Sequence, residues 1–559
     1  MAKSPGTYTV EKDNSQRVKG ASTSIGAIVM ASNQGPVMTR ELVTDSDEFL
    51  ALFGKPDLTA GYGHYAALNF LKKSSVLYVT RVINDDANKG ALPLSAGLFY
   101  SVDNSKDSNP VPHLSNFDDG SGHSVGQYDP YNTYSFNPNE AGVENILFLI
   151  VAENPGKWNQ RLYVQVRTSQ KGLTDSFDAR YDDAAQFYVD VFLDYTSPKQ
   201  APDESFLVSC SKVLDGNGKQ LYIADVINNQ SSLVRVVVNP YATRKVPVYT
   251  TTGNYMEGGT NGGFVNYGQM MRGWDLYKDT EAISVNILIQ GGQPAGMNNA
   301  TDIADVQRYM LEIAQDRMDA VAVLDIPDDL QETADAVAYV NGDLNVDSSY
   351  GAIYSPSAKV LDSYNDRYVY LPPSCFVPGN FAETDTKYDL WFDPAGMYRG
   401  TILCDGVRYI YNKGHRNVLH SNNVNAIRFF PKGDGYKIWD AITLQKEASA
   451  LSNIAVRRLL NYLETSISST VDFSVFDPND SILWSRLVAK CNAFLQPIAD
   501  ARGLYWFKVI CDETNNKPAT IATGDLYLDC YFDPVICAKR IHMRAHILKT
   551  GATFKESAV

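Results

Sequence analysis

The spacing of apolar positions changes several times along the chain, and each change marks an element. Ser22 to Met30 (STSIGAIVM) is an unbroken run of small and β-branched residues, as in a strand buried on both faces, with Gln34-Gly35-Pro36 as the turn after it. Asp45 to Phe53 carries acids in its first turn, then Phe49, Leu50, Leu52 and Phe53 before Gly54, which predicts a short helix and its stop. Tyr62–Lys72 reads as a second helix and Val76–Val82 as a strand, so strand and helix alternate as in an α/β fold. From 84 to 145 the chain turns polar and rich in Gly, Pro, Asn, Asp and Ser, the composition of a surface insertion. Apolar strands resume at Ile146–Ala152, Leu162–Val166, Phe187–Leu193 and Leu233–Val238. Ile283–Gln290, a helix over Ile303–Met318 and Ala320–Ile326 form a βαβ unit.

Towards the C-terminus the helical period dominates and then gives way to alternation. Val456, Leu459, Leu460, Leu463 and Ile467 make one apolar stripe of a helix over about 453–470. A second helix follows Asp480, with Leu483, Leu487, Cys491, Phe494 and Leu495 inward and Gly503 as its stop. Tyr505–Ile510 is strand-like. Leu526, Leu528, Cys530 and Phe532, and again Ile541, Met543, Ala545 and Ile547, alternate with polar or aromatic neighbours, as in half-buried strands. At the other end, residues 1–20 hold too few apolar side chains to close a core, so this arm needs a partner surface. The resulting fold class is multidomain, α/β and α+β. An arm (1–20) is followed by an outer domain (21–250) carrying the 84–145 insertion, a middle α/β domain (251–421), and a C-terminal domain (422–559) ending in a strand near 538–550.

Composition narrows the function classes. At 559 residues the chain exceeds the ~150 residues typical of one domain several-fold. A net charge of −15 argues against a protein whose main task is gripping nucleic acid. The longest apolar run, Ile146–Ala152, is far short of the roughly 20 residues that span a bilayer, so no membrane insertion is expected. The start (MAKSPGTYTV) shows no secretory signal, so a cytosolic product is expected. Seven scattered cysteines without a C-x-x-C pair suit reduced structural thiols, and neither a metal nor a cofactor is expected.

The candidate chemistry is weak. Gly61-x-Gly63-x-x-Ala66 does not follow a strand, as a dinucleotide loop requires, and reads as the start of a helix. Gly291-Gly292-Gln-Pro-Ala-Gly296 follows a strand but lacks the Lys-Ser/Thr of a phosphate loop. His113 with His123, His415 with His420, and His542 with His546 show no ligand-spaced acids or thiols. Cys511 to Pro518 (CDETNNKP) is dense in polar groups, and it sits between strands, where Asp, Thr and Asn cap backbone and Pro518 ends the turn. No nucleophile elbow is present and no active site is expected.

Several segments, ordered along almost the whole chain, resemble the contractile tail sheath proteins of tailed bacteriophages. They include SPGTY (4–8), STSIGAIVMASNQGPV (22–37), EFLALFGKP (48–56), ENPGKWNQRLYVQV (153–166), FDPAGMYRG (392–400), NAIRFFPKGDGYKIW (425–439), FDPNDSILWSRL (476–487) and VICDETNNKPATI (509–521). The resemblance implies a structural, non-enzymatic subunit of the virion tail, assembled in the host cytoplasm as stacked six-subunit rings around the tail tube. Contraction of that sheath drives the tube through the host envelope. The implied partners are further copies of the chain, the tail tube protein, and baseplate and tail-terminator or neck proteins. It also implies that terminal arms add strands to a neighbour's C-terminal domain, which points to Pro5, Gly6, Tyr8, Val10, Ile541, Met543, Ala545 and Ile547 as exchange residues. Arg457 and Arg458, beside the apolar stripe of the 453–470 helix, are candidate tube contacts, the alternative being a solvated helix face. The sheath of a related contractile injection system and, from a different class, a cytosolic α/β nucleotide-binding enzyme remain the alternative readings.

Overall fold

The computed structural model describes residues 23–87, 89, 91–95, 146–168, 186–242, 253–431, 434–540 and 543. The chain divides into two compact units: 22–387 with 394–446, and 447–559 with 388–393 and 1–21.

The larger unit is organised on a nine-stranded sheet. Its order is Thr401–Ile402, Gly435–Ile438, Val424–Phe430, Gly351–Ser355, Val321–Asp325, Ile287–Ile289, Gly26–Ala31, Leu77–Val82, Glu41–Val43. The six inner strands from Val424–Phe430 to Leu77–Val82 run parallel, and antiparallel strands close both margins. Such strands are covered on both faces, which is why they read as unbroken apolar runs. The expected βαβ unit is present. Ile287, Leu288 and Ile289 pair with Val321, Ala322 and Val323 across the helix Ala300–Arg317. That helix is capped by Asn299 at its start and ends on Met318 in the left-handed region (φ 60°). Its strand partner is shorter than the 283–290 segment expected, because Asn286 and Ile287 donate to the Ile25 carbonyl just before the ladder begins.

Strands from 26–82, 287–355 and 401–438 share this sheet, so the boundaries expected near 250 and 421 fall inside one unit. The start of the expected polar insertion also forms structure: Ala91–Ser95 pairs with Ile146–Ala152, which pairs in turn with Val234–Val238. A four-stranded sheet built from residues 162–255 and a three-stranded one built from 358–407 complete the unit. The two glycine motifs have packing roles. A Cβ on Gly61 would meet the Pro294 backbone at 2.9 Å, and one on Gly63 would meet Met30 at 2.5 Å.

Two buried titratable groups give this unit opposing pH dependences. Asp325, at the carboxyl end of its strand, accepts from the Ser374 amide (2.7 Å) and hydroxyl, and the Ser374 hydroxyl accepts from the Gly292 amide (3.2 Å). Burial pushes its carboxyl up to about 7. The folded chain therefore binds more protons than the unfolded one between about pH 4 and 7, and stability falls as pH rises through that window, by roughly 4 kcal/mol in all. His64 is the reverse: burial holds it down to about 4, so stability falls as pH drops below its ordinary 6.5. The two slopes oppose each other between pH 4 and 6.5. In urea titrations across pH 4–8, Asp325→Asn is expected to remove the loss of stability between pH 4 and 7, so that stability rises more steeply from pH 4 to 6.5 than in the unaltered chain. A profile parallel to that of the unaltered chain would count against this account.

Candidate assembly site

The smaller unit holds the feature most suited to joining chains. Its helix Ile454–Val471 starts at Asn453, whose side chain accepts from the Ala455 (2.8 Å) and Val456 (3.4 Å) amides. The next helix, Ser481–Asp500, starts at Asp480, which accepts from the Ile482 (3.0 Å) and Leu483 (2.9 Å) amides. Leu459, Leu463 and Ile467 of the first pack with Cys491, Leu495 and Ile498 of the second. The second helix does not end through Gly503 alone. Arg502 takes the left-handed conformation (φ 70°), and the Gly503 amide donates to the Ile498 carbonyl (2.8 Å), closing the last turn. Gly503 is needed for space, since a Cβ there would lie 2.7 Å from Ile498.

On this helix pair lies a two-stranded antiparallel sheet, Leu504–Ile510 with Asp529–Pro534. Phe507 faces Phe532 and Val509 faces Cys530, and these four pack towards the helices. Trp506, Lys508, Tyr531 and Asp533 lie on the opposite, exposed face. Among the described residues neither strand has another neighbour, so both outer edges carry unpaired ladder groups. A ribbon of two strands is marginal alone and gains by accepting a third.

The polar cluster between these strands is structural. Asp512 accepts from the Thr514 amide (2.8 Å), and hydrogen bonds from Thr514 hold its carboxyl below the usual range. Asn515 donates to the Ile510 (2.9 Å) and Tyr527 (3.1 Å) carbonyls, clamping the two strand ends together. Pro518 does not end the turn; it opens a further helix, Pro518–Thr523. Burial pushes the Cys511 thiol up, away from a reactive thiolate.

The expected tube contacts are placed differently. Arg457 and Arg458 are 4% and 6% exposed, so neither lies on a solvated face. Arg457 donates to Asn461 (2.7 Å) and pairs with Glu464 (3.2 Å), one and two turns further along the same helix. Burial raises the Glu464 carboxyl against the opposing pull of Arg457. Of the expected exchange residues, Met543 is exposed, and Pro5, Gly6, Tyr8, Val10, Ile541, Ala545 and Ile547 lie outside the described residues. Of the histidine groups, His420 contacts Asp440, a partner twenty positions away that spacing did not reveal. Among the described residues no cluster of three metal-ligating side chains occurs, and no helix is long and apolar enough to cross a membrane.

The fold of this chain is similar to that of the solved sheath tail protein Lin1278 of Listeria innocua, with a TM-score of 0.55 at 10% identity over 93% of this chain and 96% of that one. Residues 275–444 match the family model of the phage tail sheath protein central domain, and 446–547 that of the phage tail sheath C-terminal domain. The junction of those matches coincides with the division between the two units after Lys446. The tail sheath protein of Enterobacteria phage T4 is 23% identical over 99% of this chain and 98% of its own length. That of Vibrio phage KVP40 is 28% identical over 63% of this chain and 54%, about half, of the relative.

Proposed function

We propose that the chain is the structural subunit of a contractile phage tail sheath, which polymerises as stacked six-subunit rings around the tail tube and contracts to drive that tube through the host envelope. The observation that carries this reading is the helix-backed ribbon whose two edges have no partner among the described residues, inside the segment that matches the phage tail sheath C-terminal domain. Each open edge is a template for one added strand. The N-terminal arm and the alternating segment Ile541–Ile547 of neighbouring copies supply those strands. Main-chain pairing of this kind survives rotation of the globular bodies, so subunits rearrange without the lattice coming apart.

The work comes from lattice contacts. A gain of a few kcal/mol per subunit on rearrangement, summed over many copies, performs mechanical work without a chemical step. The protein acts in the virion tail after assembly in the host cytoplasm, with the tail tube, baseplate and tail-terminator or neck proteins as partners. The residues that bound each glycine loop support a structural role over nucleotide binding, since those loops press against backbone and core. Electron microscopy of the purified chain is the test. Tubular polymers built of stacked rings are expected; monomers at every salt and protein concentration would contradict the proposal.

A further inference from the structure

A cleft opens in the unit of residues 22–387 and 394–446. It has a volume of about 1000 Å³, at the upper end of the ~300–1,000 Å³ found for ligand clefts. It opens where Ser32 and Asn33 follow the strand Gly26–Ala31, where Ile83 follows Leu77–Val82, and where Ala295 follows Ile287–Ile289. This position has a topological meaning. The chain builds the sheet to one side of Gly26–Ala31 with Leu77–Val82 and to the other with Ile287–Ile289, so the strand order reverses there. In open α/β sheets the crevice outside the carboxyl ends at such a reversal is where ligands bind.

The cleft is built rather than incidental. The Lys157 amide donates to Asn261 (3.0 Å), Asn261 donates to Asn33 (2.8 Å), and Asn33 donates to Asp57 (2.8 Å), a chain of bonds that joins three walls. Trp158 forms part of the lining at 6% exposure, and its indole N–H has no acceptor among the described residues.

Its charge is opposite to that of the chain. Among the described residues Lys55, Lys157 and Arg161 line it against one acid, Asp57, whose oxygens already accept from Thr59 (2.9 Å to the amide) and Asn33. Arg161 is held by Asp194 (2.6 Å), while the Lys55 and Lys157 ammonium groups have no ion-pair partner within 4.0 Å among the described residues. Leu50, Phe53 and the exposed Phe264 supply apolar wall. A cationic cleft with apolar sides, in a chain of net charge −15, suits an acidic segment that also carries aromatic anchors.

We infer that this cleft receives an acidic segment of a second copy of the chain. The inference rests on the polymer reading above. The best-matched sequence is 96–145, which holds seven acids (Asp103, Asp107, Asp118, Asp119, Asp129, Glu140 and Glu144) against Lys106, with Leu114 and Phe117 directly before Asp118-Asp119. Opposite charges brought together this way steer association and make it sensitive to salt.

The test uses the full chain with Lys55→Glu and Lys157→Glu together, compared with the unaltered chain by light scattering and electron microscopy from 50 to 500 mM salt. The altered chain is expected to need about tenfold more protein to polymerise at low salt, with the difference shrinking as salt rises. A synthetic peptide of residues 113–120 (HLSNFDDG) is the second arm, independent of whether the double variant folds well. It is expected to inhibit polymerisation of the unaltered chain, whereas the same peptide with both aspartates as asparagine is not. An unchanged polymerisation threshold together with no inhibition by the peptide overturns the inference and leaves the sheath reading intact. Peptide binding that leaves polymerisation unaffected also overturns it, since the occupant would then not be a neighbouring copy. Failure of the unaltered chain to polymerise at any salt overturns both.

Discussion

Deletion of residues 1–20 leaves a soluble subunit with an unchanged thermal transition and abolishes polymer formation. The expectation has two halves. The deleted stretch ends before Gly26, where the central sheet starts, and it holds too few apolar side chains to contribute a core, so folding does not depend on it. The Leu504–Ile510 and Asp529–Pro534 ribbon, by contrast, offers main-chain groups along two edges, and a lattice joined through added strands loses a connection at every subunit when one class of strand is missing. The effect is therefore all or none, where loss of one rim side chain would shift polymerisation only modestly. Sedimentation and electron microscopy check it. Tubes of normal length from the truncated chain would contradict strand exchange through this arm, and an unfolded truncated chain would contradict its independence from the core.

The second large effect concerns stability. Arg81, fully buried on the strand Leu77–Val82, donates through Nε to the Ser32 carbonyl (2.8 Å) and through its two terminal nitrogens to the carbonyls of Gly35 (2.6 Å) and Pro155 (2.9 Å). One side chain thus ties the loop after the first strand to the Asn154-Pro155-Gly156 turn. Gly156 sits at φ 145°, where a Cβ would come within 2.6 Å of the Asn33 carbonyl, so the two loops are in close contact. Arg81→Met keeps the volume and leaves three buried carbonyls without donors, each costing about 1–3 kcal/mol. A loss of about 3–5 kcal/mol in urea titration is expected. Arg81→Lys is expected to recover little of it, since a single ammonium cannot reproduce the fork that reaches two separate loops. A change below about 1 kcal/mol in Arg81→Met would contradict this role.

The α/β body was legible where burial makes the pattern continuous. STSIGAIVM and AVAVLDI read as strands because both of their faces are covered, and the helix read over Ile303–Met318 is present as Ala300–Arg317, its start set by the Asn299 cap that the reading did not use. What periodicity could not provide was pairing between distant segments. Gly26–Ala31 joins Ile287–Ile289 across more than 250 residues, a pairing that the local pattern on either side of 250 does not reveal. The same limit hid Arg81 and the His420–Asp440 contact, which depend on carbonyls and acids brought together only by the fold.

At the assembly ribbon the alternation of Leu528, Cys530 and Phe532 revealed the strand, while the openness of its two edges is a property of the sheet as a whole. Arg457 and Arg458 do not form the solvated face that the sequence left open, although a charge beside an apolar stripe is usually solvated. The signal against that was present in Asn461 and Glu464, four and seven positions on, which give Arg457 partners along its own helix.

The most direct measurement is a cryo-electron microscopy map of the polymer at a resolution that traces the backbone through residues 1–20 and 541–547. The account predicts that both segments run to neighbouring subunits and lie as added strands along the open edges of Leu504–Ile510 and Asp529–Pro534. A map in which both segments pair only with their own subunit would contradict it.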